Sequence, residues 1–305
     1  MRRIEALGFN GWRAFVSNDQ RDISPLRTRR AVLKTAAGLG YALSSSPIMA
    51  QTAINTPSEG LHVGEVMLER DGFKFPVYVA HPLEGKNWPV VLVVSEIFGV
   101  HEYIADVARR WARLGYCAMA PELFARQGEP SEYATLAQLM QEVVAKVPDA
   151  QVMGDLDECV TWAGLHGADA KRLGVNGFCW GGRMSWLYAA HNPAVKAAVS
   201  WYGRLEGERT TLTPYQPIEL VNSLKAPVLG LYGKKDESIP QSSVDRMRVA
   251  LAQAAASGVQ AAAKSQIVVY PNAGHAFHAD YRASYEPLAA KQGWEQASIW
   301  FKRWL

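Results

Sequence analysis

The chain has 305 residues, of which 49% are hydrophobic and 20% charged, enough for one large core or two small ones. Its formal net charge is +3, but the first 50 residues hold 8 Lys and Arg against 3 Asp and Glu, and the remainder holds 24 against 26. The body of the protein therefore has no basic excess, which argues against a nucleic-acid-binding protein or a polybasic membrane-binding surface.

The basic excess lies in the N-terminal 50 residues. The segment Thr28–Lys34 places two adjacent arginines before three apolar residues and a lysine, a pattern that resembles a twin-arginine export signal. The mildly apolar stretch 35–43 is far shorter than the roughly 20 residues of a membrane span, and cleavage is predicted after Ala50. We interpret residues 1–50 as a signal peptide with its flank, which predicts a periplasmic or secreted protein and makes the twin-arginine machinery a partner. The alternative is a basic N-terminal extension.

From residue 55 onwards, short apolar runs alternate with segments of helical periodicity. The first two runs flank Asp71-Gly72, which predicts an antiparallel hairpin, and the later runs are almost continuously apolar, as expected for strands covered on both faces. Strands are predicted over Val63–Glu69, Phe73–Ala80, Val90–Ser95, Tyr116–Ala120, Arg172–Phe178, Lys196–Tyr202, Val228–Tyr232 and Gln266–Tyr270. Helices are predicted over Tyr103–Leu114, Ser131–Lys146, Gln151–Leu165, Gly182–His191, Ser242–Ala256 and Tyr285–Leu305.

This alternation predicts an α/β fold with a doubly wound, mostly parallel sheet of about eight strands and an antiparallel N-terminal edge. No repeat or low-complexity linker interrupts the sequence, so residues 55–305 are interpreted as one domain. In the last helix, Trp294, Ile299 and Trp300 are predicted to form the apolar stripe. Open sheets of this kind bind ligands beyond the carboxyl ends of their strands, which makes the residues that follow strands the candidates for function.

Gly177–Gly182 follows an apolar run, precedes a helical segment and has the pattern Gly-x-Cys-x-Gly-Gly. This is the Gly-x-Ser-x-Gly nucleophile elbow with Cys179 in place of serine. Small flanking residues are needed because the nucleophile occupies a strained turn, and the helix N-terminus beside it favours a thiolate. Cys179 is therefore the predicted nucleophile, whereas Cys117 and Cys159 are interpreted as buried thiols.

Two further residues follow strands in the order that this chemistry requires. Asp236 comes after Val228–Tyr232, and His275 comes after Gln266–Tyr270. The order nucleophile, acid, histidine is that of hydrolases with a nucleophile elbow. His275 is predicted to transfer the proton and Asp236 to orient the imidazole, although each residue taken singly is more often a turn or loop residue.

Glu96 follows the apolar run Val90–Ser95 and is the fourth catalytic candidate. The alternative is a solvated glutamate at a strand end. The backbone N–H groups of Ile97 and Trp180 are the predicted oxyanion donors, because elbow hydrolases draw one donor from the residue after the nucleophile and one from an early strand loop.

His275 and His278 form a His-x-x-His pair that only Asp280 accompanies, so no metal site is predicted. The sequence contains no phosphate-binding loop and no dinucleotide fingerprint after a strand, so no cofactor is predicted either.

Together these residues resemble the dienelactone hydrolase (carboxymethylenebutenolidase) family of the α/β-hydrolase superfamily, and in particular an exported subgroup. The resemblance implies the α/β-hydrolase fold and a carboxylic ester hydrolase that acts on a lactone. It also implies that the residue at Glu96 keeps the resting thiol neutral, is displaced by substrate and then helps to generate the thiolate. The segments that carry the resemblance are Ser95–Gly99, Ala120–Arg126, Gly177–Gly182, Asp236 and Gly274-His275.

The sequence departs from the family at the arginines that hold the substrate carboxylate. The position four residues after His275, an arginine in the enzyme that opens dienelactone, is Ala279 here. The reaction class is therefore predicted, while the natural substrate is left open. The substrate-binding candidates are Phe98, Arg126, Tyr202, Phe277 and Arg282.

The leading hypothesis is a cysteine-dependent hydrolase of a small lactone or activated ester. Thioester hydrolysis or acyl transfer by the same residues is one alternative, and a non-catalytic ligand-binding module on the same fold is another. The joint presence of Cys179, His275, Asp236 and Glu96 argues against the binding module, which needs none of the four. The oligomeric state is not predicted.

Overall fold

The computed structural model describes residues 54–305. The export signal predicted for residues 1–50 lies outside the described residues and stays a prediction. Within the part of the chain that is described, no helix is long and apolar enough to cross a membrane.

The described residues form one eight-stranded sheet. Its strands are β1 (Leu61–Arg70), β2 (Phe73–Pro82), β3 (Trp88–Val94), β4 (Cys117–Pro121), β5 (Ala168–Phe178), β6 (Val195–Trp201), β7 (Val228–Gly233) and β8 (Gln266–Tyr270). They lie in the order β1-β2-β4-β3-β5-β6-β7-β8. β1 and β2 are antiparallel to each other, β2 is antiparallel to β4, and all other neighbours are parallel. The predicted doubly wound sheet with an antiparallel N-terminal edge is confirmed.

α-Helices and short 3-10 turns cover this sheet. The α-helices of residues 54–305 are α1 (Glu102–Arg113), α2 (Leu136–Glu142), α3 (Asp149–Leu165), α4 (Trp180–His191), α5 (Gln241–Ala256), α6 (Gln260–Lys264) and α7 (Pro287–Trp304). The 3-10 turns are Pro130–Glu132, Val144–Lys146 and Pro217–Ser223.

The prediction of a single helix over Ser131–Lys146 is wrong. Thr135 has an extended backbone and its hydroxyl accepts the N–H of Gln138, so it caps a new helix instead of continuing an earlier one. The segment is therefore a 3-10 turn, the seven-residue α2 and a second 3-10 turn.

The stripe predicted for the last helix is only partly right. Trp300 is buried, but Ile299 is 68% exposed. The buried face of α7 instead includes Gly293, Ala297 and Phe301, which recur at the helical spacing of four residues.

Two buried indole rings form hydrogen bonds to the central strands, whose ends carry the functional residues. Trp201 of β6 is fully buried and its Nε1 donates to Asn176 Oδ1 of β5 at 2.9 Å. Trp186 of α4 is also buried and donates to the hydroxyl of Tyr232 on β7 at 3.2 Å. Buried indole N–H groups need such partners, so these bonds couple packing to strand register.

Candidate active site

Cys179 lies at the junction between β5, which ends at Phe178, and α4, which begins at Trp180. Its backbone has φ of 53° and ψ of −112°, a region that a residue with a side chain rarely occupies. Strain of this kind persists only where the surrounding packing imposes it. The turn predicted for the elbow is therefore present, and it lifts the thiol out of the line of the strand.

Two glycines explain how the elbow packs so tightly. A Cβ on Gly181 would lie 2.3 Å from the carbonyl oxygen of Val94 and 2.5 Å from that of Ser95. A Cβ on Gly177 would lie 2.0 Å from the carbonyl oxygen of Gly181. Backbone atoms cannot swing aside as a flexible side chain can. The first turn of α4 therefore packs against β3 at Gly181 and against β5 at Gly177 only because these positions lack side chains.

Replacement of Gly181 by alanine should therefore destabilise the protein by about 3 kcal/mol or more, because the clash is with backbone on β3. The matched control is Gly64→Ala on β1, where an added Cβ meets nothing within 4 Å. That variant should change the free energy of unfolding by less than about 1 kcal/mol. Urea unfolding of both variants tests this, and equal midpoints would contradict the packing argument.

The structure brings the three predicted residues into one hydrogen-bonded row. His275 Nε2 lies 3.2 Å from Cys179 Sγ, and His275 Nδ1 lies 2.7 Å from Asp236 Oδ2. The second oxygen of Asp236 accepts from the N–H and hydroxyl of Ser238 and from the N–H of Ile239. A histidine held between a carboxylate and a thiol can take a proton from sulfur while the carboxylate stabilises the resulting imidazolium.

Ser238 was not among the predicted site residues. Its Oγ donates to Asp236 at 2.6 Å and lies 3.1 Å from His275 Nδ1. The sequence signal was the serine two residues after the aspartate, a spacing at which side-chain and backbone donors close a turn around the carboxylate.

The charges in the row favour an imidazolium next to the aspartate. Burial lowers the pKa of His275, but its hydrogen bonds to Asp236 and Cys179 outweigh burial and raise the pKa to about 10. Burial raises the pKa of Asp236, yet the hydrogen bond and charge of His275 and the donors of Ser238 hold it below its ordinary value.

This shift predicts how stability depends on pH. Because the pKa of His275 is raised from 6.5 to about 10, its stabilising contribution is fully present below pH 6.5 and is lost as the pH rises through about 10. The difference in free energy of unfolding between wild type and His275→Gln should therefore shrink between pH 6 and pH 10. Urea titrations at several pH values measure it, and a difference that is constant or grows with pH would contradict the prediction.

The loop after β8 that carries His275 is anchored at alternate residues to α1. His278 is buried and its Nδ1 lies 2.6 Å from the hydroxyl of Tyr103. Asp280 Oδ2 accepts from Arg110 at 2.7 Å. Burial and the nearby Arg110 charge lower the pKa of His278 well below its ordinary value. His278 is thus a neutral, structural histidine that fixes the loop.

Glu96 is fully buried, which rules out the alternative of a solvated glutamate at a strand end. Its Oε2 accepts from the Tyr281 hydroxyl at 2.6 Å and lies 3.5 Å from His101 Nε2, while its Oε1 has no hydrogen-bond partner among the described residues. Burial raises the pKa of Glu96, but His101, Arg282 and Tyr281 outweigh burial and hold it below its ordinary value. Sequence reasoning missed His101 and Tyr281, which lie far apart along the chain.

The predicted oxyanion donors follow the ends of two neighbouring strands, β3 and β5. Trp180 is the first residue of α4, where N–H groups have no acceptor within the helix. Ile97 lies in the loop between β3 and α1, directly after Glu96, and the elbow packs against the end of β3 through Gly181.

Three of the substrate-binding candidates lie near the row. The ring of Tyr202 meets the His275 ring edge-on at 5.2 Å between centroids, but it is fully buried, so it supports His275 and offers no surface to a substrate. The Arg282 guanidinium stacks 5.3 Å from the centre of the Phe98 ring. Arg282 also lines an open groove of about 450 Å³ together with His275 and Lys235.

The other two candidates do not reach this groove. Arg126 pairs with Asp155, and its guanidinium lies over the rings of Phe73 and Phe75, so its charge is used at the β1–β2 hairpin. Phe277 is fully buried against Tyr202 and other rings of the core, so it supports Tyr202 and offers no surface to a substrate. Within residues 54–305, no cluster of three or more His, Cys, Asp or Glu side chains could hold a metal ion.

A doubly wound sheet with a nucleophile elbow at its centre makes the protein an α/β-hydrolase. Comparison with known proteins narrows the class. The model of the dienelactone hydrolase family matches residues 75–305, and the chain belongs to this family of carboxylic ester hydrolases.

The relatives agree with this assignment. A "Putative carboxymethylenebutenolidase" of Methylorubrum extorquens is 53% identical over 279 residues, which cover 91% of this chain and 93% of that protein. A "Probable 2-oxo-3-(5-oxofuran-2-ylidene)propanoate lactonase" of Bradyrhizobium is 34% identical over 74% of this chain and 88% of its own length. The crystal structure of a "Putative Dienelactone Hydrolase" from Klebsiella pneumoniae superposes with a TM-score of 0.76 at 52% identity, and covers 80% of this chain and 99% of that one.

Proposed function

We propose that this protein hydrolyses a small lactone or activated ester through a covalent intermediate on Cys179. The observation that carries the proposal is the row Cys179–His275–Asp236, with contacts of 3.2 and 2.7 Å, at a strained elbow. The geometry is that of a nucleophile, a proton-transfer group and an orienting carboxylate.

In the proposed reaction, Cys179 gives its proton to His275 and attacks the carbonyl carbon. The carbonyl oxygen becomes an oxyanion, which the N–H groups of Ile97 and Trp180 stabilise. Collapse breaks the ester bond, and His275 returns its proton to the leaving alkoxide. Water, deprotonated by His275, then attacks the thioester carbon and releases the acid and the thiol.

Glu96 is proposed to control the charge of the thiol. In the observed conformation Cys179 contacts His275, while Glu96 is held by Tyr281 and His101. This arrangement fits the step after the carboxylate has left the thiol. The unpartnered Oε1 leaves Glu96 one oxygen that can accept a hydrogen bond from the neutral thiol in the other conformation, before the thiol turns to His275 and gives up its proton there.

The substrate class rests on the relatives and on the groove. The Bradyrhizobium relative is named a lactonase, and ring opening keeps the leaving alkoxide attached to the acyl group beside Cys179. Arg282 and Lys235 line the groove beside His275, so basic side chains outnumber the two carboxylates there, Asp236 and Glu237, of which Asp236 is paired with His275. We therefore propose lactones or esters that carry a negative charge near the scissile bond, with Phe98 as an apolar contact.

The test is a kinetic screen with purified protein that lacks residues 1–50. A burst of p-nitrophenolate from p-nitrophenyl acetate, stoichiometric with protein, is expected for an acyl-enzyme. The value of kcat/KM is then measured for matched lactones, esters and thioesters, each with and without a carboxylate. These values rank the substrates. Higher kcat/KM for thioesters would change the assignment to a thioesterase. Neither a burst nor turnover with any acyl donor would leave a binding module.

We also propose that residues 1–50 direct export through the twin-arginine machinery, on the strength of the adjacent Arg29 and Arg30. Replacement of both by lysine should retain the precursor in the cytoplasm while leaving the enzyme active in lysates. Fractionation of cells expressing either form measures this. Equal recovery of wild type and variant from the periplasm would contradict the proposal.

A further inference from the structure

The loop that joins β3 to α1 carries Ile97, and one side chain from another strand holds it in place. The N–H of Val100 donates to Glu122 Oε2 at 2.7 Å, and both groups are buried. Gly99, the residue before Val100, has φ of +71°, and its carbonyl accepts the N–H of His101 at 3.2 Å. The loop therefore reverses around the carboxylate of Glu122.

The loop packs closely against the carboxylate at Gly99. A Cβ at Gly99 would lie 2.6 and 2.8 Å from the two carboxylate oxygens of Glu122. The carboxylate thus occupies the place that a side chain at position 99 would take. Glu122 is itself fixed, because its backbone N–H donates to the carbonyl of Pro76 on β2 at 2.9 Å.

The same turn reaches the second proposed donor. Phe124, two residues after Glu122, is fully buried, and its ring packs on the ring of Trp180 at 4.7 Å between centroids. The turn after β4 therefore contacts both of the segments that carry the proposed oxyanion donors. Glu122 holds the loop of Ile97, and Phe124 holds the side chain of Trp180.

We propose that Glu122 and Phe124 are positioning residues that set the spacing of the two oxyanion donors. The inference rests on the proposed function, because it concerns the oxyanion formed when Cys179 attacks a carbonyl. Donor hydrogen bonds are effective only at the position that the oxyanion will occupy, so small displacements of the loop lower the rate of the chemical step and leave substrate binding largely unchanged.

Two reactions of the same thiol separate this role from a general structural one. Acylation by p-nitrophenyl acetate forms a bond from Cys179 Sγ to the carbonyl carbon and moves an electron pair onto oxygen, before p-nitrophenolate leaves. Alkylation by iodoacetamide forms a bond from the same sulfur to a saturated carbon and expels iodide. Both need the thiolate, but only acylation creates an oxyanion.

In Glu122→Ala, the rate of acylation should fall by roughly 10- to 100-fold, within the loss known for removal of one oxyanion donor, while the rate of alkylation of Cys179 stays within about twofold. Glu122→Gln retains an oxygen that accepts from Val100, so it should lose acylation rate by less than about tenfold. Phe124→Leu should show the same selective loss through the Trp180 side. Glu132→Ala, an exposed glutamate of the following turn, is the control and should change neither rate.

Parallel loss of both rates, or no loss of either, in Glu122→Ala would overturn the proposal. If that variant does not accumulate as folded protein, the absence of a selective loss in Phe124→Leu would overturn it. Failure of the proposed function is visible separately in the wild type. If the proposed function is wrong, alkylation of Cys179 in the wild type would leave the release of p-nitrophenolate intact.

Discussion

Cys179→Ala should lower ester turnover by at least about 10⁴-fold. The reason is that no other described thiol is placed to replace it. Cys117 and Cys159 are buried, and burial raises the pKa of Cys117 to about 12 and that of Cys159 well above its ordinary value. Burst kinetics with p-nitrophenyl acetate measure the loss, and the urea midpoint should stay close to that of the wild type.

Cys179→Ser and Cys117→Ala serve as the matched variants. The serine variant keeps the contact with His275 but should retain little activity, because a hydroxyl is far less acidic than a thiol. Cys117→Ala should keep the burst, since Cys117 lies within β4 and away from His275. Iodoacetamide should label Cys179 before the other two cysteines. Equal labelling of all three in folded protein, or a burst in Cys179→Ala, would reject Cys179 as the nucleophile.

Glu96→Gln should lower kcat by about 10²- to 10⁴-fold, the range for loss of a general acid–base group. The carboxylate is fully buried, and the donors around it hold its pKa below the ordinary value, so the native group is an anion beside the elbow. Glutamine keeps the shape and an oxygen that can accept from Tyr281. The free energy of unfolding should therefore change by about 1 kcal/mol or less, because one charged hydrogen-bond acceptor becomes neutral.

The control for Glu96 is Glu69→Gln on β1, whose side chain is 55% exposed and should leave both kcat and stability unchanged. Measuring turnover and urea midpoint on the same preparations separates a catalytic from a structural role. Wild-type kcat in Glu96→Gln would remove Glu96 from the mechanism and leave the thiol, His275 and Asp236. A large loss of stability with normal kcat per folded molecule would make Glu96 a structural anion.

The pattern of strands was predictable because it is a local property. Buried parallel strands are almost continuously apolar, and every predicted strand is present with ends displaced by at most four residues. The helix over Ser131–Lys146 failed for a local reason that periodicity does not capture. A single hydroxyl of Thr135 caps a new helix within an otherwise helical composition. In α7, Ile299 lies on the exposed side, because the docking of the helix on the sheet selects the buried face.

By itself, the sequence determined the elbow, the chain order of Cys179, Asp236 and His275, and the family. Each of these depends on a short motif next to a strand, where residue type and turn geometry are coupled within a few positions. The tertiary structure alone decided which side chains surround them. It placed Phe277 in the core and paired Arg126 with Asp155, away from the groove.

Contacts between residues distant in the chain account for the rest. Tyr281 reaches Glu96 across 185 positions, and Glu122 reaches the Val100 N–H across 22. No local pattern encodes such pairs, because they depend on how the loops after β3, β4 and β8 fold over one edge of the sheet. A buried carboxylate is stable only when donors meet it there, so its partners follow from burial and chain reversal and not from spacing in the sequence.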